Sequence, residues 1–249
     1  MNRPVVYLLP GLMCDEAVWS AQSAALSRYA EVRVPVFRGY DSLAGMAAAV
    51  WREAPARFSV VGHSMGGRVA FELMALALGS TGVASSQRKT IERFAVMDTG
   101  VHPVQDGEPV KRQLLLDAAE RKGLQAVADS WILPMLHPNR RSDLALIGQI
   151  TAMILRNSVA DFRGQVAALL AREARQDLLP RISQKVWLLC GDADGWSPVS
   201  QHRDMQQLLP RAELRVIANA GHMCTMEQPE AVNNALVEWM HEPAFQDSH

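Results

Sequence analysis

The chain has 249 residues, with 25 Lys plus Arg against 26 Asp plus Glu, 49% hydrophobic content and a formal net charge of −1. That balance excludes a disordered chain and a broad basic face for nucleic acid, while the length suits one large α/β domain that closes its core without metal or disulfide. Cys14, Cys190 and Cys224 form no C-x-x-C pair and predict a reducing, cytoplasmic setting; the apolar segment 5–9 is too short for a signal peptide, and no run approaches the ~20 residues of a membrane span.

In chain order, short apolar runs rich in β-branched residues fall at 5–9, 32–36, 58–61, 94–97, 186–190 and 214–218. Runs apolar on both faces predict strands inside a parallel sheet covered by helices. Helical spacing occupies 17–28, 43–53 and 68–78 between the first four strands, then 201–209 and 231–240 towards the end. The repeated βα unit predicts a doubly wound α/β sheet of about six strands rather than a closed eight-stranded barrel. The small, polar stretch 79–87 predicts an exposed, mobile loop. After the fourth strand the alternation stops. The segments 109–122, 125–132, 142–156 and 159–171 each repeat Leu, Ile, Val or Met on one helical face. They predict a helical lid, 101–181, inserted in a core of 1–100 and 182–249. With 11 basic and 9 acidic residues, this insertion predicts no strong electrostatic selection.

The run Gly62-His63-Ser64-Met65-Gly66-Gly67 follows an apolar strand and opens a helix. It fits G-x-S-x-G in the strand-turn-helix setting that lifts a serine hydroxyl above the sheet edge. Glycines give the strained turn its space, and the amino terminus of the following helix points N–H groups at a developing negative charge. A serine nucleophile needs a base, and the base needs an orienting carboxylate. His222, after the last strand, lies on the same carboxyl edge as Ser64, where open α/β sheets bind ligands. Asp192 and Asp194 both follow the fifth strand, and Asp98 ends the fourth. The plainer roles are a loop cap for Asp98, a brace for the turn carrying Asp194 in the case of Asp192, and core packing or hydrogen bonding for His63. His102, His137, His202, His241 and His249 lack metal-ligand spacing, and no H-E-x-x-H or Cys/His cluster occurs, so no metal is expected.

These pieces, together with Leu8-Leu9-Pro10-Gly11-Leu12, the run from Gly191 to Pro198, and Gly221-His222 followed by Glu227 and Pro229, resemble the α/β-hydrolase superfamily in its small, lid-bearing esterase and lactonase-like branch. The resemblance covers nearly the whole chain, and the order Ser, Asp, His matches the family. It aligns Asp194, not Asp192, with the family aspartate. It also implies a strand order of second, first, third, fourth, fifth, sixth, with the sheet shortened by the family's initial antiparallel hairpin. Pro10-Gly11 replaces the usual His-Gly of the oxyanion loop. The implied chemistry is a Ser64-His222-Asp194 triad, with backbone N–H groups of Leu12 and Met65 as the oxyanion hole and no cofactor. The expected substrate is a small carboxylic ester, thioester or lactone, without nucleic-acid or membrane partners. A C–C hydrolase, a cofactor-free perhydrolase and a slow-turnover ligand receptor are the rivals on the same fold. Met13, Trp131 and Trp196, together with Met97, Met135 and Met153, are the candidate residues for lining a pocket under the lid, with core packing as the plain alternative. Cys14 and Cys224 are expected near the site as inert thiols.

Overall fold

The structure, a computed structural model, describes residues 3–79 and 88–245. Residues 80–87 of the expected loop lie outside the described residues, as does His249. Six strands, β1 (Val5–Leu9), β2 (Glu31–Arg33), β3 (Arg57–His63), β4 (Thr90–Met97), β5 (Val186–Gly191) and β6 (Ala212–Ile217), form one sheet in the order β2-β1-β3-β4-β5-β6. Every pairing is parallel. β1 and β5 are buried along their whole length, as their two-sided apolar runs require. The edge strands β2 and β6 are largely half-buried or exposed. β2 is shorter than its apolar run because Pro35 has no N–H for a ladder and tolerates only strand ends and edges.

Helices α1 (Ser20–Leu26), α2 (Leu43–Glu53), α3 (Met65–Gly79), α8 (Val199–Leu208), α9 (Cys224–Glu227) and α10 (Pro229–His241) flank the sheet. The expected helix 17–28 is split: Asp15 caps a short 3-10 turn, Glu16–Trp19, before α1 begins. Ser42 accepts from the Gly45 N–H and starts α2. α1 packs on α10 and α2 on α3.

Between β4 and β5 stand α4 (Glu108–Lys122), α5 (Leu124–Met135), α6 (Leu144–Leu155) and α7 (Val159–Leu170). Gly123, at φ 78°, separates α4 from α5, a backbone angle that favours glycine. Asp143 caps α6, and Ser158 with Asp161 forms a reciprocal capping box on α7. Each strand's carboxyl end therefore opens on the same edge, and the loops carrying Ser64, Asp98, Asp194 and His222 meet there.

Candidate active site

β3 ends at His63, and Ser64 turns the chain at a left-handed φ of 54° before α3 begins. Such an angle costs a residue with a Cβ of the order of 1–3 kcal/mol and survives only where its neighbours enforce it. Here Ser64 N donates to the Met97 carbonyl at 3.0 Å, and Thr99 Oγ1 donates to the Ser64 carbonyl at 2.7 Å. The turn has no room for side chains beside it. A Cβ on Gly62 would lie 2.4 Å from the Gly66 carbonyl oxygen, and one on Gly66 would lie 2.1 Å from that of Leu9.

His222 reaches the serine from the loop after β6. Its Nε2 is 2.8 Å from Ser64 Oγ, and its Nδ1 is 2.9 Å from Asp194 Oδ2. Asp194 Oδ1 accepts from the Trp196 and Ser197 N–H groups at 2.8 and 3.0 Å. Burial disfavours the Asp194 charge, but His222 and these two donors outweigh it and hold the carboxyl below the usual carboxylate range. An ionised Asp194 assigns the imidazole proton to Nδ1 and leaves Nε2 to accept the serine hydrogen.

The His222 loop is fixed by polar groups that its sequence position did not advertise. His222 N donates to the Met135 carbonyl at 2.7 Å, and His63 Nε2 bonds the His222 carbonyl at 2.8 Å. Burial pushes the His63 imidazole down to about 4, so this ring is a neutral donor. Glu227, buried, accepts from the N–H groups of His137, Gly221 and Met223 at 2.7, 2.8 and 3.2 Å. One carboxyl thus ties the end of α5 to both sides of His222.

The other carboxylates have structural partners. Asp98 Oδ1 accepts from Gly191 N at 2.9 Å and its Oδ2 from the Cys224 thiol at 2.6 Å, which joins β4 to β5 and to α9. Burial, followed by the nearby Asp194 charge, pushes its carboxyl up, and the hydrogen-bond partner of the His222 ring is Asp194. Asp192 accepts from Asn219 N and Ala220 N, both at 3.1 Å, so it braces the turn leading to His222 rather than the turn of Asp194. Asp98, Cys190 and Asp194 are the set of metal-ligating types that come within 4.8 Å of one another among the described residues. Each already serves a hydrogen bond, with Cys190 donating to the carbonyls of Gly191 and Ser197, and its thiol is pushed up by burial.

The Leu12 and Met65 N–H groups make no hydrogen bond among the described residues, and both residues line the cavity above Ser64. Met13 lies between Leu12 and Cys14 but does not face that cavity. It sits at φ 59° and is fully buried in the core, which corrects its expected pocket role: the left-handed turn leaves its two neighbours on the cavity wall and sends Met13 inward. The helical segment holds this residue from both sides. Met13 N donates to Gln165 Oε1 at 2.8 Å, and Asn157 Nδ2 donates to the Met13 carbonyl at 3.0 Å. Next to it, Arg156 grips buried Asp15 with two hydrogen bonds of 2.7 and 2.8 Å.

The cavity measures about 440 Å³ and is walled by the Ser64 edge of the sheet and by α4 to α7. Trp131 and Trp196 line it, with ring centroids 5.2 Å apart, and the Trp196 ring lies 5.0 Å from that of His222. Met135, Met153 and Cys14 also line it, whereas Met97 is fully buried in β4.

A parallel six-stranded sheet with a glycine-bounded serine, a histidine and an aspartate at one edge defines an α/β hydrolase. The alpha/beta hydrolase family matches residues 6–235, and the chain belongs to that family. Among curated relatives, the pimeloyl-[acyl-carrier protein] methyl ester esterase of Aliivibrio fischeri is 25% identical over 232 residues, covering 86% of this chain and 85% of the relative. The biotin biosynthesis bifunctional protein of Cellvibrio japonicus is 24% identical over 251 residues; the match takes in 96% of this chain and 48% of that longer protein. Among solved structures, a thermophilic esterase from Thermogutta terrifontis superposes with a TM-score of 0.83 at 25% identity, covering 97% of this chain and 90% of the other. The enol-lactonase from Burkholderia xenovorans has the same fold, with a TM-score of 0.81 at 21% identity over 97% of this chain and 93% of its own. No helix among the described residues is long and apolar enough to cross a membrane.

Proposed function

We propose that the chain is a serine hydrolase that cleaves a small carboxylic ester, thioester or lactone through an acyl-enzyme, as a cytoplasmic enzyme without a cofactor. The observation that carries this reading is the continuous hydrogen-bonded line from Ser64 Oγ to His222 Nε2 at 2.8 Å and from His222 Nδ1 to Asp194 at 2.9 Å. Ser64 Oγ attacks the carbonyl while His222 Nε2 takes its proton. The same imidazole returns the proton to the leaving alcohol or thiol. Asp194, kept ionised, holds the ring in the required tautomer and stabilises the imidazolium. The carbonyl oxygen, negative in the tetrahedral intermediate, is received by the N–H groups of Leu12 and Met65, with the amino terminus of α3 behind them. Water then repeats the sequence on the acyl-enzyme.

Residues 101–181 act as the lid. Their apolar faces cover the serine, exclude bulk water and set substrate size through Trp131 and the adjoining Trp196. The Aliivibrio and Thermogutta relatives, both esterases by name, support the bond class, and the Burkholderia enol-lactonase supports a cyclic ester as one form of it.

The test is steady turnover of p-nitrophenyl acetate and butyrate, with fluorophosphonate labelling located by mass spectrometry. Ser64→Ala is expected to lose several orders of magnitude in kcat and all labelling while remaining folded. Unchanged turnover in Ser64→Ala, or label on another residue, overturns the assignment.

A further inference from the structure

The cavity is not uniformly apolar. Arg68, Lys111, Arg112 and Arg172 line it, while Asp98, Asp106 and Glu108 are its acidic lining residues, Asp98 being committed to Gly191 N and the Cys224 thiol. Glu108 is already committed. It takes two hydrogen bonds from Arg172, at 2.6 and 2.9 Å, and a longer contact of 3.5 Å from Arg112. Arg172 in turn donates to the carbonyls of His102, Pro103 and Leu169.

Arg68 is different. Its guanidinium contacts are both with His102: the carbonyl oxygen at 3.0 Å and Nε2 at 3.2 Å. No carboxylate lies within salt-bridge distance of it among the described residues, which leaves guanidinium N–H donors uncommitted on a residue that lines the cavity. Burial, reinforced by neighbouring Arg172 and only partly offset by Glu108, which is engaged with Arg172, penalises its charge and pushes the group down to about 9. A cation withdrawn from water without a carboxylate paired to it is costly, and an anion placed beside it removes that cost. The location ties this cation to the reacting centre. Arg68 N donates to the Ser64 carbonyl at 3.3 Å, so Arg68 stands in the first turn of α3, directly after the nucleophile's turn, and both residues line the same cavity.

We propose that the Arg68 end of the cavity is an anion subsite that receives a carboxylate carried by the substrate, so that the preferred ester or lactone bears a free acid group a few bonds from the carbonyl that is cleaved. The scissile end of this statement rests on the serine-hydrolase reading, and the anion end rests on the surroundings of Arg68. The guanidinium presents a planar fork that suits a carboxylate, and Arg112, only loosely engaged by Glu108, adds positive charge from α4. The apolar half of the cavity then accommodates the carbon chain.

The experiment compares kcat/KM for the monoethyl esters of C4 to C8 dicarboxylic acids with the ethyl esters of monocarboxylic acids of equal length. At least one acid-bearing ester is expected to be preferred at least tenfold by the wild-type enzyme. Arg68→Gln is expected to reduce that preference by about 10- to 100-fold, the range for a hydrogen bond between charged groups, and Arg68→Lys to retain part of it. In parallel, calorimetry of C4 to C8 dicarboxylates against Ser64→Ala is expected to show binding that weakens on adding Arg68→Gln. Turnover of neutral esters with no preference for the acid-bearing series overturns the subsite and leaves the hydrolase reading intact. An unaltered preference in folded Arg68→Gln also overturns it. Dicarboxylate binding to Ser64→Ala without turnover of any ester by wild type upholds the subsite and removes the hydrolase reading. Should Arg68→Gln fail to fold, the wild-type preference and dicarboxylate binding to Ser64→Ala decide alone.

Discussion

Gln165→Met tests whether the helical segment sets the oxyanion geometry as well as covering the site. The substitution keeps the side-chain volume but removes the acceptor for Met13 N, at 2.8 Å, and the donor to the Phe37 carbonyl, at 2.9 Å. Gln165 is 1% exposed, so both orphaned backbone groups stay away from water. Each costs about 1–3 kcal/mol, or about 2–6 kcal/mol together. For a chain of this size each kcal/mol shifts Tm by roughly 2–4 °C, giving an expected fall of about 4–24 °C. The catalytic effect has a separate origin. Met13 holds φ 59°, a conformation worth about 1–3 kcal/mol of strain, and with its N–H released the residue gains by relaxing. Leu12, the preceding residue, then moves its N–H away from the carbonyl oxygen. Complete loss of one such donor costs about 10²–10³ in turnover, so partial misplacement is expected to lower kcat by roughly 10- to 100-fold. KM should change by less than about threefold, because the donor matters most in the transition state. The assay is p-nitrophenyl butyrate kinetics beside thermal unfolding. A variant with the lowered Tm but a kcat within twofold of wild type would refute the link between Gln165 and the oxyanion loop.

Asp194→Asn is expected to lower kcat by about 10⁴ by favouring the wrong imidazole tautomer, while Asp98→Asn and Asp192→Asn cost far less; a collapse confined to Asp98→Asn would move the acid to the end of β4. Trp131→Ala or Trp196→Ala should raise the ratio of hexanoate to acetate kcat/KM, each accommodated methylene being worth about 0.8 kcal/mol or roughly fourfold, and an unchanged ratio in both removes these rings from the size limit. Glu108 is half-buried, which alone would raise its pKa, but Arg172 outweighs that and lowers it to about 2. Its contribution to stability is therefore complete above the unfolded carboxyl value of about 4.3 and is lost as pH falls towards the folded one, so the Tm gap between wild type and Glu108→Gln should narrow between pH 5 and pH 2.5. A gap that stays constant through that window contradicts the pairing.

The strands and helices were legible because their signals are local. Each expected strand occurs, in the expected order and all parallel, and 43–53 is helical over the expected range. Boundaries moved where a single residue overrode the apolar pattern. Pro35 lies in the apolar run beyond the end of β2, and α3 starts at Met65 because the glycines of the elbow, poor formers of an isolated helix, are held by tight packing, Gly66 against Leu9 and Gly67 against Thr99. The serine turn was readable for the same local reason. A glycine needed for close approach leaves its mark in the sequence, as Gly62 and Gly66 do.

The remainder of the site depends on partners brought together from distant parts of the chain, and a linear pattern carries no trace of those. Gln165 and Asn157 hold Met13 from positions 152 and 144 residues away, and nothing in their own segments distinguishes them from polar residues on a solvated helix face. Glu227 was visible as part of the His222 segment, but its grip on His137 N required the end of α5 to arrive there. Charge shows the same limit. The near-even count of 11 basic and 9 acidic residues in 101–181 averages over surfaces facing in every direction, whereas the cavity samples only Asp106, Glu108, Lys111, Arg112 and Arg172 from that segment and adds Arg68 and Asp98 from outside it. What a substrate meets is the charge on one wall at low dielectric, where individual ions weigh most. The signal that points there in the sequence is the four-residue step from Ser64 to Arg68, which places a cation in the first turn of the helix that follows the nucleophile, and it acquires meaning once the structure pairs that cation with His102 rather than with a carboxylate.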